Sequence, residues 1–167
     1  MGSLALVRID SRLIHGQVCT QWLKRTNSKR CIIIDDDIVA DPFLFQVYML
    51  ATPVGINLDI YSAQESGDKW KKNQFGTPDP ILVLFKNIPM LYKAYKAGFV
   101  FPKLQIGGIG GGHGRTNVVG PIALDRQDGV MINELANEGM EIYFQPTPDS
   151  PHATWPDVKR KFFSDLP

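Results

Sequence analysis

The sequence predicts an α/β fold: a single domain with a mostly parallel, open sheet and helices on both faces. Short β-branched, apolar runs bounded by turn residues recur at 4–9, 31–34, 56–61, 81–85, 104–106, 118–124 and 141–144. Segments with apolar residues at helical spacing separate most of them, and strands alternating with helices of this length build βαβ units, hence a parallel sheet covered on both faces. A chain of 167 residues is enough for one full core, burying roughly 70% of the unfolded surface, and short for two.

The run at 4–9 is the first strand and stops at a charged turn; helical spacing resumes at Gln17 and continues to Leu23. After the second strand, at 31–34, Asp35, Asp36 and Asp37 read as turn and capping residues leading to Asp41. Asp41 is the N-cap and Pro42 the first residue of a helix reaching Leu50, the positions those residue types favour. A less regular helix lies between Ser62 and Trp70. The helix at 88–97 carries Leu91 and Tyr95 on one face and stops at Gly98, a suitable C-terminal glycine. The strand at 104–106 is followed by a glycine-rich loop and by another strand at 118–124 with no helix between, which predicts a hairpin or an antiparallel edge near Gly120. Asp125 caps a helix over 126–137 that ends at Gly139, and a strand follows at 141–144. Pro146, Pro148, Pro151 and Pro156 hold the tail extended to about Ala153; residues 155–166 form a short terminal helix.

Eighteen Lys and Arg stand against seventeen Asp and Glu, a net charge of +1, so no field favours nucleic acid or an anionic membrane. No stretch approaches the ~20 apolar residues of a membrane span, and the N-terminus lacks the pattern of a signal peptide; the expectation is a soluble, intracellular protein. Cys19 and Cys31 lack zinc spacing and read as reduced, buried thiols.

Chemistry concentrates around His15, in the segment Val7-Arg8-Ile9-Asp10-Ser11-Arg12-Leu13-Ile14-His15-Gly16-Gln17-Val18, where the first strand hands over to the first helix. In open α/β sheets that handover, at the carboxyl ends of strands, is where ligands bind. Asp10, Arg12 and His15 fall within six residues, so a carboxylate, a guanidinium and an imidazole share one short loop, which suits holding a phosphoryl group on nitrogen. Arg12 is a planar fork suited to phosphate oxygens. Gly16 permits a turn whose amides point at an anion, and the helix opening at Gln17 adds its positive end. Neutral imidazole is a nucleophile near pH 7, and a hydrogen bond at one ring nitrogen decides which other is free to attack. Asp10 has two readings, orienting the ring or pairing with Arg8 or Arg12, and the residues alone leave both open. Leu13 and Ile14 read as core or as partner contacts.

Lys86 and Asn87 close the strand at 81–85 on the same sheet edge and are candidates to reach a bound phosphoryl group. The loop Gly107-Gly108-Ile109-Gly110-Gly111-Gly112-His113-Gly114-Arg115 fails the dinucleotide fingerprint, since a start at Gly108 puts His113 where the last glycine belongs, and the chain has no Gly-Lys-Ser or Gly-Lys-Thr for a P-loop. It reads either as a mobile surface loop or as backbone free to approach a ligand, with Arg115 supplying a charge. His113 and His152 read as solvated or hydrogen bonded and not as metal ligands, and Lys159, Arg160 and Lys161 as a solvated helix face.

The segment at 7–18 closely resembles the hallmark of the B component (EIIB) of the mannose, fructose, sorbose and N-acetylgalactosamine class of the bacterial sugar phosphotransferase system (PTS). That hallmark runs Arg-Ile-Asp, a variable residue, then Arg-Leu-Ile-His-Gly-Gln-Val, and stands here intact as Arg8, Ile9, Asp10, Ser11 and Arg12 to Val18. Residues 33–40 resemble the family's acidic turn, 86–89 its loop after the fourth strand, 104–109 its Asn-Val-Gly-Gly-Met segment and 118–125 the strand before its last helices. The likeness spans about 4–148; Ser11, Ile109 and the glycine-rich loop at 110–114 are the departures, and they touch the partner-facing edge.

The resemblance implies a seven-stranded, mostly parallel sheet with one antiparallel edge strand. It implies that His15 accepts a phosphoryl group from a histidine of the A component (EIIA) and passes it to a sugar bound by the membrane components EIIC and EIID, at the cytoplasmic face and without metal or cofactor. Arg12 carries over as phosphate stabiliser, Asp10 as orienting carboxylate, and Gly16 with Gln17 as loop amides. Which sugar is carried and whether the chain self-associates stay open. The competing class is a binding module that holds an anion or effector at the same loop without covalent chemistry. A hydrolase using His15 as base ranks last, for want of a Ser or Cys nucleophile in a recognisable elbow.

Overall fold

The computed structural model describes residues 3–76 and 78–167. In chain order the first elements are β1 (Ser3–Asp10), α1 (Gln17–Arg25), β2 (Arg30–Ile34), α2 (Asp36–Ala40), α3 (Pro42–Ala51), β3 (Asn57–Tyr61), α4 (Ala63–Asn73) and β4 (Pro80–Phe85). There follow α5 (Ile88–Lys96), β5 (Lys103–Gly108), β6 (Thr116–Val119), β7 (Ile122–Leu124), α6 (Arg126–Asn137), β8 (Glu141–Phe144), β9 (Ala153–Thr154) and α7 (Trp155–Phe162). The main sheet has seven strands in the order β3-β2-β4-β1-β5-β8-β9. All its pairings are parallel except the last, where β9 runs antiparallel to β8.

The central strands are apolar on both faces because helices cover both. Ile32, Ile34, Val83 and Phe85 alternate into one cluster with α4, α5, α6 and α7. Cys31, Ile33, Leu82 and Leu84 alternate into the other, with Cys19, Trp22 and Leu23 of α1 and Ile38 of α2. This is the period of two expected of strands. The chain therefore leaves β1 over one face and leaves β4 over the other. Since β1 and β4 are neighbours, with Ile9 opposite Phe85, their carboxyl ends form a topological switch point, the place where open α/β sheets as a class bind ligands.

Three elements differ from the sequence expectation. The aspartate run does more than turn the chain: Asp35 caps the five-residue helix α2, its side chain accepting from Ile38 N. The run at 118–124 is not one strand of the sheet. It breaks at Gly120 and Pro121 into the β6–β7 hairpin, a separate two-stranded sheet, tied back through Ala123 N donating to Ile109 O at 2.9 Å. The antiparallel edge is accordingly β9, not the segment near Gly120. The irregular periodicity of α4 has a plain cause, since its buried face is Ala63, Ser66 and Gly67.

Both cysteines are free and buried. Burial pushes the Cys19 thiol up to about 11, with Asp10 adding to the effect, and pushes Cys31 well above its ordinary range. Alkylation needs the thiolate, so both thiols are expected to resist iodoacetamide at pH 8 in the folded protein and to react fully in urea. Rapid modification of the native protein, read by mass spectrometry, would contradict this burial.

Candidate functional site

The site grows from the end of β1. Arg8 and Asp10 alternate with Ile9, so both side chains lie on the α1 side of the sheet, with the Arg8 guanidinium 5.1 Å from the centre of the Trp22 ring. Arg8 is 1% exposed, and a buried guanidinium needs acceptors on most of its N–H groups. It finds them: Nη1 donates to Gln105 Oε1 and to Gln145 O at 2.9 Å, and Nη2 to Pro146 O at 2.7 Å and Asp10 Oδ2 at 3.2 Å. Burial lowers the pKa of the guanidinium from its ordinary value, with the Asp10 carboxylate opposing the shift. Gly107 makes room for it, since a β-carbon there would lie 1.9 Å from Arg8 Cζ.

Asp10 is buried and links this cluster to the loop. Its Oδ1 accepts from Arg12 N at 3.0 Å, and Ser11 N donates to Gly108 O at 2.8 Å. Leu13 N donates to Asp10 O at 2.9 Å and His15 N to Arg12 O at 3.1 Å, so two successive turns carry the chain out to the histidine. Leu13 sits at φ 53°, a left-handed conformation that costs a β-substituted residue about 1–2 kcal/mol. Its side chain, 1% exposed, holds it there. Leu13 and Ile14 are both core, which removes them as partner contacts.

His15 stands exposed at the tip. Among the described residues no hydrogen bond reaches its imidazole, and its ring neighbour is Tyr48 of α3, with centroids 5.0 Å apart and planes at 67°. The Asp10 carboxylate is spent on Arg8 and on the loop backbone, so it steadies the loop and not the ring, correcting the orienting role expected of it. Gly16, at φ 88°, stands at the N-cap of α1 with no side chain accepting from the first turn. Each of the other six helices described has a side-chain cap, from Asp35, Asp41, Ser62, Asn87, Asp125 and Thr154 respectively. The first amides of α1, starting at Gln17, are therefore left for an anion or water. Arg12 leans over this end: a β-carbon on Gly16 would lie 3.8 Å from its Nη1. Its side chain is 61% exposed and its Nε only 3.9 Å from Asp10 Oδ1; no guanidinium hydrogen bond is made among the described residues.

The remaining candidates divide. Lys86 is exposed and follows Phe85, the register partner of Ile9, so it stands at the same edge as the loop. Asn87 is engaged as the N-cap of α5, its Oδ1 accepting from Met90 N at 2.9 Å. Arg115 turns to the hairpin: it pairs with Asp128 at 2.9 Å and Asp125 at 3.4 Å and donates to Ala123 O at 3.3 Å. Its charge is thereby neutralised by two carboxylates. His113 and His152 are exposed. No group of three or more His, Cys, Asp or Glu among the described residues is placed to hold a metal ion. A cleft of about 710 Å³ is lined by Tyr143, His152 and Trp155 among others and includes no residue of the 10–17 loop. Sequence reading passed over Tyr48, and it named Arg8 only as one possible partner of Asp10, a pairing found here at 3.2 Å, without its buried network. A charge inside an otherwise apolar central strand was the available signal for Arg8.

An exposed imidazole at a sheet switch point, beside an exposed guanidinium and a helix start with no side-chain cap, marks an α/β protein whose candidate site lies at the carboxyl ends of β1 and β4. The sequence profile of the PTS system sorbose subfamily IIB component matches residues 4–164. The sorbose-specific EIIB component of Klebsiella pneumoniae is 30% identical over 139 residues, covering 83% of this chain and 84% of that protein. The mannose-specific EIIAB component of Escherichia coli K12 is 25% identical over 95% of this chain but only 49% of its own length, so the chain spans about half of that relative. Among solved structures, manxB from Thermoanaerobacter tengcongensis superposes with a TM-score of 0.88 at 29% identity, covering 98% of each chain. The IIBSor domain of the Klebsiella pneumoniae sorbose permease gives 0.86 at 28% identity over 96% of this chain and 98% of that one. This chain belongs to the PTS sorbose-subfamily IIB family.

Proposed function

We propose that the chain is a phosphocarrier, in which His15 takes a phosphoryl group from a histidine of an A component and delivers it to a sugar held by the membrane components EIIC and EIID. The observation that carries this reading is an exposed imidazole with no hydrogen-bond partner among the described residues, beside a guanidinium that makes none and a helix start without a cap. A neutral ring nitrogen of His15 attacks phosphorus while the donor's N–P bond breaks. Arg12 and the amides at Gly16 and Gln17 then take up the charge on the equatorial oxygens, which is where a loose transition state needs donors. Lys86 adds a second cation from the neighbouring strand end. In the next transfer the new N–P bond breaks toward a sugar hydroxyl. Asp10 serves by holding the loop, and Asn87 and Arg115 serve the scaffold.

Such a relay runs between histidines of similar phosphorylation free energy, so the partner contact is transient, on the order of 1,200 Å² or less. No described helix is long and apolar enough to cross a membrane, and in this reading the chain works at the cytoplasmic face of its transporter. Incubation with a phosphorylated A component is expected to leave one acid-labile, base-stable phosphate on the tryptic peptide 13–24, at His15. Label on any other residue, or anion binding with no covalent phosphate, would rule the assignment out.

Arg12→Ala is expected to slow transfer by roughly 10²-fold, the scale for losing a transition-state oxyanion donor. It should leave the urea midpoint unchanged, because the side chain is exposed and makes no hydrogen bond of its own. Rapid-quench kinetics would decide, and an unchanged rate would take Arg12 out of the site.

A further inference from the structure

Resting on the phosphocarrier reading, we propose that Tyr48 is a positioning residue for the transfer: its ring holds the His15 imidazole in the one orientation that presents a nitrogen to the anion site formed by Arg12 and the start of α1. The loop fixes the histidine backbone, through His15 N donating to Arg12 O at 3.1 Å, but leaves an exposed side chain that no hydrogen bond restrains among the described residues. Such an imidazole samples several χ1 wells and a broad range of χ2, whereas in-line attack uses one combination. The neighbour that restrains it is Tyr48, 5.0 Å away with planes at 67°, the edge-to-face arrangement aromatic pairs prefer.

Tyr48 is itself held. Phe45, Tyr48 and Ala51 form the inner face of α3 and pack against the cluster containing Leu13 and Ile14, the two residues before His15. The opposite face, with Phe43 and Leu50, is 76% and 83% exposed. Ring and loop thus share one anchor, and the pair does not depend on a flexible segment. Histidines are commonly aimed by a hydrogen bond to one ring nitrogen, which occupies that nitrogen. An aromatic neighbour orients the ring while leaving both nitrogens open, one to take and release phosphorus and the other to exchange its proton with water.

The test compares Tyr48→Phe with Tyr48→Leu, which keeps bulk beside Phe45 and Ala51, using two donors: a phosphorylated A component and the small molecule phosphoramidate. Y48F is expected to react at the wild-type rate with both. Y48L is expected to lose roughly three- to tenfold in kcat with the A component at unchanged KM, and the same factor with phosphoramidate. Three-bond NMR couplings about the His15 Cα–Cβ bond should report one rotamer in the wild type and Y48F and an average in Y48L. Wild-type rates with a single rotamer in Y48L would overturn the proposal. So would a rise in KM confined to the protein donor, which would make Tyr48 a docking contact. Failure of the phosphocarrier reading is separately visible, because wild-type protein would then take no label on His15 from either donor, and the positioning role would fall with it.

Discussion

His15→Ala is expected to bring phosphoryl transfer below detection while the protein stays folded. The lost group is the nucleophile, and the loop offers no substitute, because its remaining side chains are a buried carboxylate, a serine, a guanidinium, two core aliphatics and a glutamine. Stability changes little because the imidazole is exposed and gives up only its aromatic contact with Tyr48, a loss of about 1.5 kcal/mol at most. Arg12 and the open start of α1 remain, so the variant should still bind inorganic phosphate weakly while carrying none covalently. That combination separates a carrier from a binding module using the same loop. Measured label transfer from the A component at even a tenth of the wild-type rate would sink the assignment, provided thermal melts show both proteins folded.

The second large effect falls on stability. Arg8→Met removes the buried cation from a site where Asp10 is 4% exposed, leaving that carboxylate with Arg12 N at 3.0 Å and the solvent-exposed Arg12 side chain, its Nε at 3.9 Å. An orphaned buried charge of this kind costs about 3–5 kcal/mol, and Gln105 Oε1, Gln145 O and Pro146 O lose their donor as well. The urea midpoint should fall with the slope unchanged. Gly107→Ala is expected to destabilise by a similar route, by driving a methyl group into the guanidinium, which a β-carbon would approach to 1.9 Å. The double variant should then be less damaged than the sum of the two, since the methyl no longer meets a guanidinium. An Arg8→Met protein within about 1 kcal/mol of wild type would show that the buried pair is not what holds this end of the sheet.

Much of this could be read from the residues, for identifiable reasons. β2 and β4 are buried on both faces and so appear as unbroken apolar runs, 31–34 and 81–85, and α3 and α6 announce themselves by Asp41 with Pro42 and by Asp125. The two-residue strand β9 and the five-residue helix α2 are too short to show any period. The turn at Gly120 and Pro121 decides that 118–124 is a hairpin, and its neighbours are apolar enough to hide it. At the site, His15, Arg12 and Gly16 are sequence neighbours and were legible together. The partners that fix them are not: Arg8 meets Gln105, Gln145 and Pro146 across 97, 137 and 138 positions, and Tyr48 arrives on an uncharged helix that looks like ordinary core. Arg115 could be seen as a charge, but its commitment to Asp125 and Asp128 depends on the hairpin geometry.

The buried guanidinium also dictates an order of events in synthesis. Two of its four acceptors, Gln145 O and Pro146 O, lie 137 and 138 positions after it, beyond β8, so the segment bearing His15 emerges from the ribosome long before the groups that lock it in shape. Contacts this distant in sequence form late and slow the search for the native state. A nascent chain halted short of β8 is therefore expected to hold the histidine on an unsecured loop, and the loop takes its final shape only once residues 145 and 146 have been made.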